Sequence, residues 1–506
     1  AVSLVPGEEE ASSSAEPTRL TYDDDRPSVA VLPLDNFSPD PNYAYFADGM
    51  HEEVISRLSR VSALKVISRN SVMQYKHERV PTPQIAAELD VEYVLEGSAR
   101  IAGGLVRLTV QLIQGQTDEH VWSHEFDREY SVENLIDIQS GIAQEVTSQL
   151  AVVITPAEAV LIGSVPTEDL DAYEAYMLGR YHLEREDNPL GGPSEALQYF
   201  QMAIERDPSL AEAHAGHALA YYTLLSFGVR DPRESWPQVE QWARSALAID
   251  STVSSARLLL ARQRLARTWD WEDSEQRILR VLELDPNDSE GWGTRADLSI
   301  AQGRIEEGLR DASRAAALDP ISSRMLLLQA RWAFLSRRYE EAIRLSEVLM
   351  TKDPNNLLAA WYLAQSFLLR GRPDDAVGLF TGEGTDLASL TAEPSASLAL
   401  FLSLAGQPDS ARVVIDQVVS GSGEDYRTPD RVWQTYAILG EKDEAFSWME
   451  RCIEELSPSA RHMGVTPLAD PLRDDPRYQA LLDRIGLGHL KARFDSLAAA
   501  RPFGGT

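Results

Sequence analysis

The 506-residue sequence has a single cysteine, which excludes an intrachain disulfide framework and any cysteine-rich metal cluster. That residue, Cys452, falls where a small packing side chain is wanted, so a buried structural thiol is expected. Lysine is nearly absent: Lys65, Lys76, Lys352, Lys442 and Lys491 are the only lysines among 47 basic residues, and arginine supplies the rest. Positive charge is short altogether. Against 79 Asp and Glu the net charge is −32, which makes free nucleic acid and anionic membrane poor general partners. No apolar run approaches the roughly 18 residues that a membrane span needs. The chain opens on Ala1 without a methionine, which is compatible with a removed signal peptide, membrane anchor or larger N-terminal region.

Motifs that would carry catalysis are missing too. The glycine-rich stretches TGEGTD and SGSGED lack the Gly-Lys-Ser/Thr that grips a nucleotide, and there is no G-x-S-x-G elbow. His51 is followed by Glu but by no second His four residues on, so the zinc-protease pattern fails. His120 and His124 are read as sharing one face of a strand with no third ligand, and His214 and His217 as helix packing residues. No catalytic residue, metal site or cofactor is expected, and the chain is read as non-enzymatic.

What is present is a repeat. In WDWEDSEQRILRVLELDPND the helical pattern stops at Leu-Asp-Pro, and Pro286, Pro320 and Pro354 follow one another at steps of 34 residues. Twelve residues before each stands a mostly small side chain, in the series Ala196, Val239, Ser274, Gly308, Ala342, Ala376, Ala411 and Ala445, with spacings of 43, 35, 34, 34, 34, 35 and 34. Small residues recur where two helices would cross, and Phe200, Ile278, Ile415 and Met449 offer bulk to fill the gaps. Trp292 takes the large aromatic position of a first helix. This register resembles that of tetratricopeptide repeat proteins, in which paired antiparallel helices stack and each pair buries its face on the next. About eight pairs are expected between residues 168 and 486, in one continuous array, with the 43-residue step as a longer loop or helix near SFGVRDPRESW.

Residues 1–27 are acidic and Ser-rich, the composition of a disordered tail. The pattern then changes. SVAVLPL and LKVIS read as strands, YFADGMHEEVISRLSRV and TPQIAAELD as helices, and VEYVLEGSARIAGGLVRLTVQLIQGQTDEHVWSHEFDREY as three consecutive strands with Gly103-Gly104 in a hairpin turn. A helix from about Val132 to Ala151 leads out. The expected fold is a small α+β domain with a mixed sheet (28–153), followed by an all-α tetratricopeptide solenoid (168–486) and a C-terminal tail (487–506). PLADPLRDDPRYQALLDRIGL is read as the closing cap of the repeats.

The run VAVLPLDNFSPDPNYAYFADGMHEEVISRLSRVSALKVISRNSVMQYK, with YVLEGSARIAGGLVRLTVQLI and DEHVWSHEFDREY after it, resembles the TolB amino-terminal type of domain and the related FlgO family of bacterial envelope proteins. The resemblance implies no catalytic residues. It implies two settings for a chain of this plan. One is a bacterial protein-interaction scaffold outside the cytoplasm, periplasmic or extracellular. The other is the sensory or regulatory C-terminal region of a signalling protein, such as an adenylate cyclase, a Ser/Thr kinase or a transcriptional regulator.

Binding is expected on the first helices of the pairs, which line the inner groove of such arrays. Counting repeat positions places Leu258, Arg262, Asp297, Leu327, Arg331, Phe334, Trp361, Gln365 and Leu368 there, where arginines beside apolar groups would suit an extended peptide bearing carboxylates. Expected partners are a protein or peptide, including other copies of the chain. In the latter case Val2, Leu4 and Val5 of the tail would supply burial and Glu8, Glu9 and Glu10 register, joining copies head to tail into an oligomer or filament.

Overall fold

The computed structural model describes residues 24–40, 43–184, 191–226, 229–354, 356–381, 396–420 and 429–490. The tail residues Val2, Leu4, Val5, Glu8, Glu9 and Glu10 and the stretches TGEGTD and SGSGED fall wholly or largely outside these, so their expected roles lie outside the described residues.

The N-terminal part is the expected mixed sheet. Strands β1 (Ser28–Val31), β2 (Asp35–Asn36), β3 (Lys65–Val66), β4 (Tyr93–Ala102), β5 (Leu105–Gln114) and β6 (Glu119–Glu129) are ordered β3-β1-β4-β5-β6, with β2 pairing to β4. β1 runs parallel to β3 and β4, whereas β4, β5 and β6 form an antiparallel meander. Gly103 and Gly104 take φ of 61° and 76° and turn β4 into β5, a backbone that side-chain-bearing residues rarely adopt. Helix α1 (Ala44–Ser59) and the helix Val132–Gln149 pack together beside the sheet. Sequence pattern missed β2, the short helix Arg69–Val72 and the helix Pro156–Ile162, all too brief to show a period.

One expectation on β6 is corrected. A register irregularity between Leu112 and Ile113 sets His120 opposite Ile113 and His124 opposite Val110, so the bulge turns the two imidazoles to opposite faces of the strand. His124 stacks on Trp122 with ring centroids 6.0 Å apart.

Beyond Leu170 the chain is helical, and the described residues contain eight antiparallel helix pairs, from Leu170–Leu183 with Gly192–Arg206 to Pro429–Leu439 with Lys442–Glu454. The repeating small residues Ala196, Val239, Ser274, Gly308, Ala342, Ala376, Ala411 and Ala445 lie buried on the second helix of each pair. Phe200 shows what that spacing serves: its ring lies between Gly179 and Gly216, where an added Cβ would come within 2.6 and 2.5 Å of the ring. The long step between Ala196 and Val239 is taken up largely by lengthened helices of 16 and 18 residues, against 13 and 14 in the pair Ser289–Ala301 with Ile305–Leu318.

Two boundaries differ from expectation. The helix pairs end at Glu454; Pro458, Pro467, Pro471 and Pro476 then break the chain into two 3-10 turns and one short helix, Pro476–Arg484. Residues 487–490 belong to the core rather than to a tail, since Leu487 and Leu490 are buried with the repeats.

The sheet and the repeats share apolar packing. A single cluster runs from Val29 through Met177 and Phe200 to Ala220, joining the sheet to the first helix pairs. The Leu-Asp-Pro turns make a second connection. Asn287 Nδ2 donates to the Ser59 and Leu64 carbonyls at 2.9 Å each, Ser59 Oγ donates to Asp285 at 3.1 Å, and one repeat later Ser71 Oγ donates to Asp319 at 2.7 Å. The turns that punctuate the repeat are therefore also the surface on which the α+β domain rests. Asn287→Ala would take the donor from the buried Ser59 carbonyl, while the Leu64 carbonyl would keep its bond from Arg26 at 3.1 Å, at a cost of about 1–3 kcal/mol. The expected result is a lower denaturation midpoint with faster amide exchange around Ser59–Leu64, and an unchanged midpoint would show that the contact contributes nothing.

Candidate functional site

Two clusters of polar side chains stand out, one at the junction of the α+β domain with the repeats and one on the inner face of the repeats. At the junction, Glu52 of α1, Arg69, Arg180 and Glu184 form a closed ion network. Arg69 lies 3.0 Å from Glu52 and 2.7 Å from Glu184, and Arg180 pairs with Glu52 and, at 2.8 Å, with Glu184. Burial opposes ionisation of Glu184, but the Arg69 and Arg180 charges outweigh it and hold its carboxyl below the usual range.

Beside this network His51 is fully buried, with Nε2 2.8 Å from the Val31 carbonyl. Burial, aided by the Arg69 charge, pushes its pKa down to about 3, and burial pushes His217 down to about 4. Both folded values lie below the unfolded value of about 6.5. The stability that the neutral rings contribute is thus complete above that value and lost as pH falls through it, at about 1.4 kcal/mol per pH unit for each. Asp319, raised to about 6 by burial, works in the opposite sense, so the readout is a difference. His51→Gln keeps a donor for Val31, and its urea midpoint is expected to fall less steeply than that of the parent between pH ~7 and pH ~5. Equal slopes would show that His51 titrates normally.

Of the expected groove residues, Arg331, Phe334, Trp361 and Gln365 line one cavity, and the side chains of the set are packed or paired within the chain. Leu258, Phe334, Trp361 and Gln365 are buried, and Leu327 and Leu368 are partly buried against the core. Arg262 already donates to Thr294 and to Glu290 at 3.1 Å, and Arg331 donates to Asp297 at 2.8 Å. The carboxylates expected from a partner are supplied by neighbouring repeats, Glu290 from the repeat after Arg262 and Asp297 from the repeat before Arg331. The covering comes from the chain's own C-terminal segment. Arg461 Nε donates to Asp297 at 2.6 Å, and His462 Nε2 lies 3.1 Å from the same carboxylate. Arg337 grips Asp470 through two bonds of 2.8 and 2.6 Å, and Trp271 Nε1 donates to the Ile485 carbonyl at 2.7 Å. Arg473, 1 % exposed, is held by Asp470, the Gly464 and Thr466 carbonyls and Tyr478. Sequence reading missed this because repeat positions report a helix's inward face and not what later chain lands on it. The one signal was the four prolines from Pro458 to Pro476, which end the helical period while Met463, Val465 and Leu468 still require burial.

Between groove and segment a cavity of about 70 Å³ remains, lined among others by Arg331, Trp361, Gln365, Arg431, Trp433 and Met463. His214 and His217 pack on Trp242 at 5.5 and 4.4 Å, and Cys452 is buried. No group of three metal-ligating side chains occurs among the described residues, and no helix among them is long and apolar enough to cross a membrane.

The architecture is thus a mixed α+β sheet domain carried on a solenoid of tetratricopeptide type. Residues 25–145 match the family described as HilA/YgeH-like transcriptional regulator, second domain. Over 198 residues the chain is 37 % identical to a protein of Rhizobium meliloti (strain 1021) named "Putative adenylate cyclase 3", a match that takes in 39 % of this chain and 33 % of that protein. The chain therefore spans about a third of the length of the curated relative it matches. Among solved structures it is similar to a tetratricopeptide repeat protein from Parabacteroides merdae ATCC 43184 (15 % identity, 53 % of this chain, 99 % of that one, TM-score 0.35). It is also similar to PilF of Pseudomonas aeruginosa (18 % identity, 44 % and 97 %, TM-score 0.31).

Proposed function

We propose that this chain is the non-enzymatic, protein-binding regulatory region of a bacterial signalling protein, working beside an effector such as an adenylate cyclase or a transcriptional regulator. The match to the Rhizobium meliloti protein carries the reading, since two thirds of that protein lie outside the match. The regulator-type family over residues 25–145 supports it independently. So does the construction of the molecule: the sheet domain and the first helix pairs share one core, which suits passing a change at the repeats to the N-terminal end. The test is the reading frame upstream of Ala1, together with cyclic AMP formation by the purified chain. An in-frame cyclase, kinase or DNA-binding domain and an inactive purified chain are expected. A stop codon or secretion signal directly upstream would overturn the reading in favour of an envelope scaffold that joins its copies through the N-terminal tail, and cyclic AMP above a heat-denatured control would overturn the non-enzymatic assignment.

A further inference from the structure

Strand β6 is an edge: β5 takes one side of it, and among the described residues no strand takes the other. It is 11 residues long, and all of it is exposed except the partly buried Trp122 and Phe126. Its one register shift sits at Val121, so residues 122–129 run regular. Natural edges are usually kept short, kinked, or studded with lysine and proline, because a free row of N–H and C=O groups recruits another strand. β6 is long and contains neither lysine nor proline.

The register locates the free row. Tyr130 N donates to the Gly104 carbonyl at 2.9 Å, so that pair is of the hydrogen-bonded kind. The alternation of an antiparallel ladder then turns the backbone groups of Ser123, Glu125, Asp127 and Glu129 away from β5. Two carbonyls confirm the direction: Glu129 accepts from Asn134 Nδ2 at 2.9 Å and Asp127 from the Arg128 side chain at 3.0 Å, neither of them on β5. The N–H and C=O of Ser123 and Glu125 meet no partner among the described residues. On the helix-facing side the edge carries an aromatic row, with His124 6.0 Å from Trp122 and 4.5 Å from Phe126. The helix Val132–Gln149 stands over the same side, where a Cβ on Gly141 would meet Phe126 at 3.6 Å. Charge here is of one sign. Glu119, Glu129, Glu133 and Asp137 are exposed and form no ion pair among the described residues, while the single cation Arg107 answers both Glu125 and Asp127. Like charges set opposite each other are destabilising, which disfavours a second copy's β6 and this chain's own segment bearing Glu8, Glu9 and Glu10 as the occupant.

We infer that β6 is a docking edge for an extended basic segment of another protein. The segment adds as a further strand beside residues 123–129, with alternate apolar side chains on the row of Trp122, His124 and Phe126 and basic ones over Glu125, Asp127 and Glu129. In such strand addition the backbone bonds supply affinity and the alternating side chains selectivity. The inference gives the protein-binding reading a surface without depending on which effector accompanies the chain, so failure of peptide binding leaves the test of the upstream reading frame untouched.

The experiment is fluorescence anisotropy of a short labelled peptide of alternating lysine and valine, titrated with the full chain at about 0.15 M salt, where loose charge attraction is screened. Saturable one-to-one binding is expected, with amide exchange slowed across β6 and not across the repeats. A peptide of equal charge whose central valines are replaced by proline cannot pair as a strand, and should bind about tenfold more weakly or worse. Ser123→Pro removes an outward N–H at an edge position, where proline is tolerated, and should weaken binding by about tenfold or more with the circular dichroism unchanged. If that variant does not fold, exchange in the parent decides: protection that appears elsewhere than β6, or nowhere, overturns the proposal. Equal binding of the two peptides, which would mean charge attraction alone, overturns it as well. So does parent-like affinity in folded Ser123→Pro.

Discussion

Replacing Asp297 by alanine is expected to release the C-terminal segment from the repeats. Its carboxylate is 4 % exposed and accepts from three donors, Arg331 at 2.8 Å, Trp332 Nε1 at 3.3 Å and Arg461 at 2.6 Å, with His462 Nε2 3.1 Å away. Burial opposes its ionisation, but the Arg331, Arg461 and His462 contacts outweigh it and hold it well below the usual carboxylate range. Removing one member of such a network strands the others: two guanidinium groups would share a desolvated site without a counter-charge, a change worth about 3–5 kcal/mol. In a repeat array such damage stays near the altered repeat. Hydrogen exchange should therefore accelerate across residues 457–490 and the helices Ser289–Ala301 and Ser323–Leu335, with the sheet domain unaffected. Protection of 457–490 equal to that of the parent would show that apolar burial of Met463, Leu468 and Leu482, rather than Asp297, holds the segment.

Asp297 also shows how far the sequence could be read. Its place on an inward face followed from counting repeat positions, because a helix period dictates which side chains share a stripe. Helix pairing, the order of strands β4 to β6 and the Gly103-Gly104 hairpin followed from equally local chemistry. What could not be read is where one stripe meets another part of the chain. Arg461 reaches Asp297 across 164 positions and Asn287 reaches Ser59 across 228, and neither separation leaves any periodic trace. Pairing of His120 with His124 failed for a related reason: a bulge is set by the neighbouring strand, whereas strict alternation assumes that none exists. Register alone thus reports which positions share a stripe, and not that Arg262, Arg331 and Asp297 find their partners within the chain.

Arg180→Met is expected to loosen the α+β domain from the repeats without unfolding either. The guanidinium answers two carboxylates from two parts of the chain, Glu52 on α1 and Glu184 at the end of the first repeat helix, and only Arg69 would remain to answer both. Methionine keeps the length and apolar stem of the side chain, so the loss is one of charge; because Arg69 still pairs with both half-buried carboxylates, the cost should fall below the ~3–5 kcal/mol of a fully unpaired buried charge. Limited proteolysis between the α+β domain and the first helix pair, within residues 150–170, should accelerate. The companion variant Glu52→Gln separates an ionic cause from a packing one. If the two residues act through each other, Arg180→Met with Glu52→Gln costs less than the sum of the single changes, because the second substitution removes the charge that the first had stranded. Strict additivity would mean that the network is incidental and that Met177 and Tyr173, buried in the same apolar cluster as the sheet, carry the junction by packing alone.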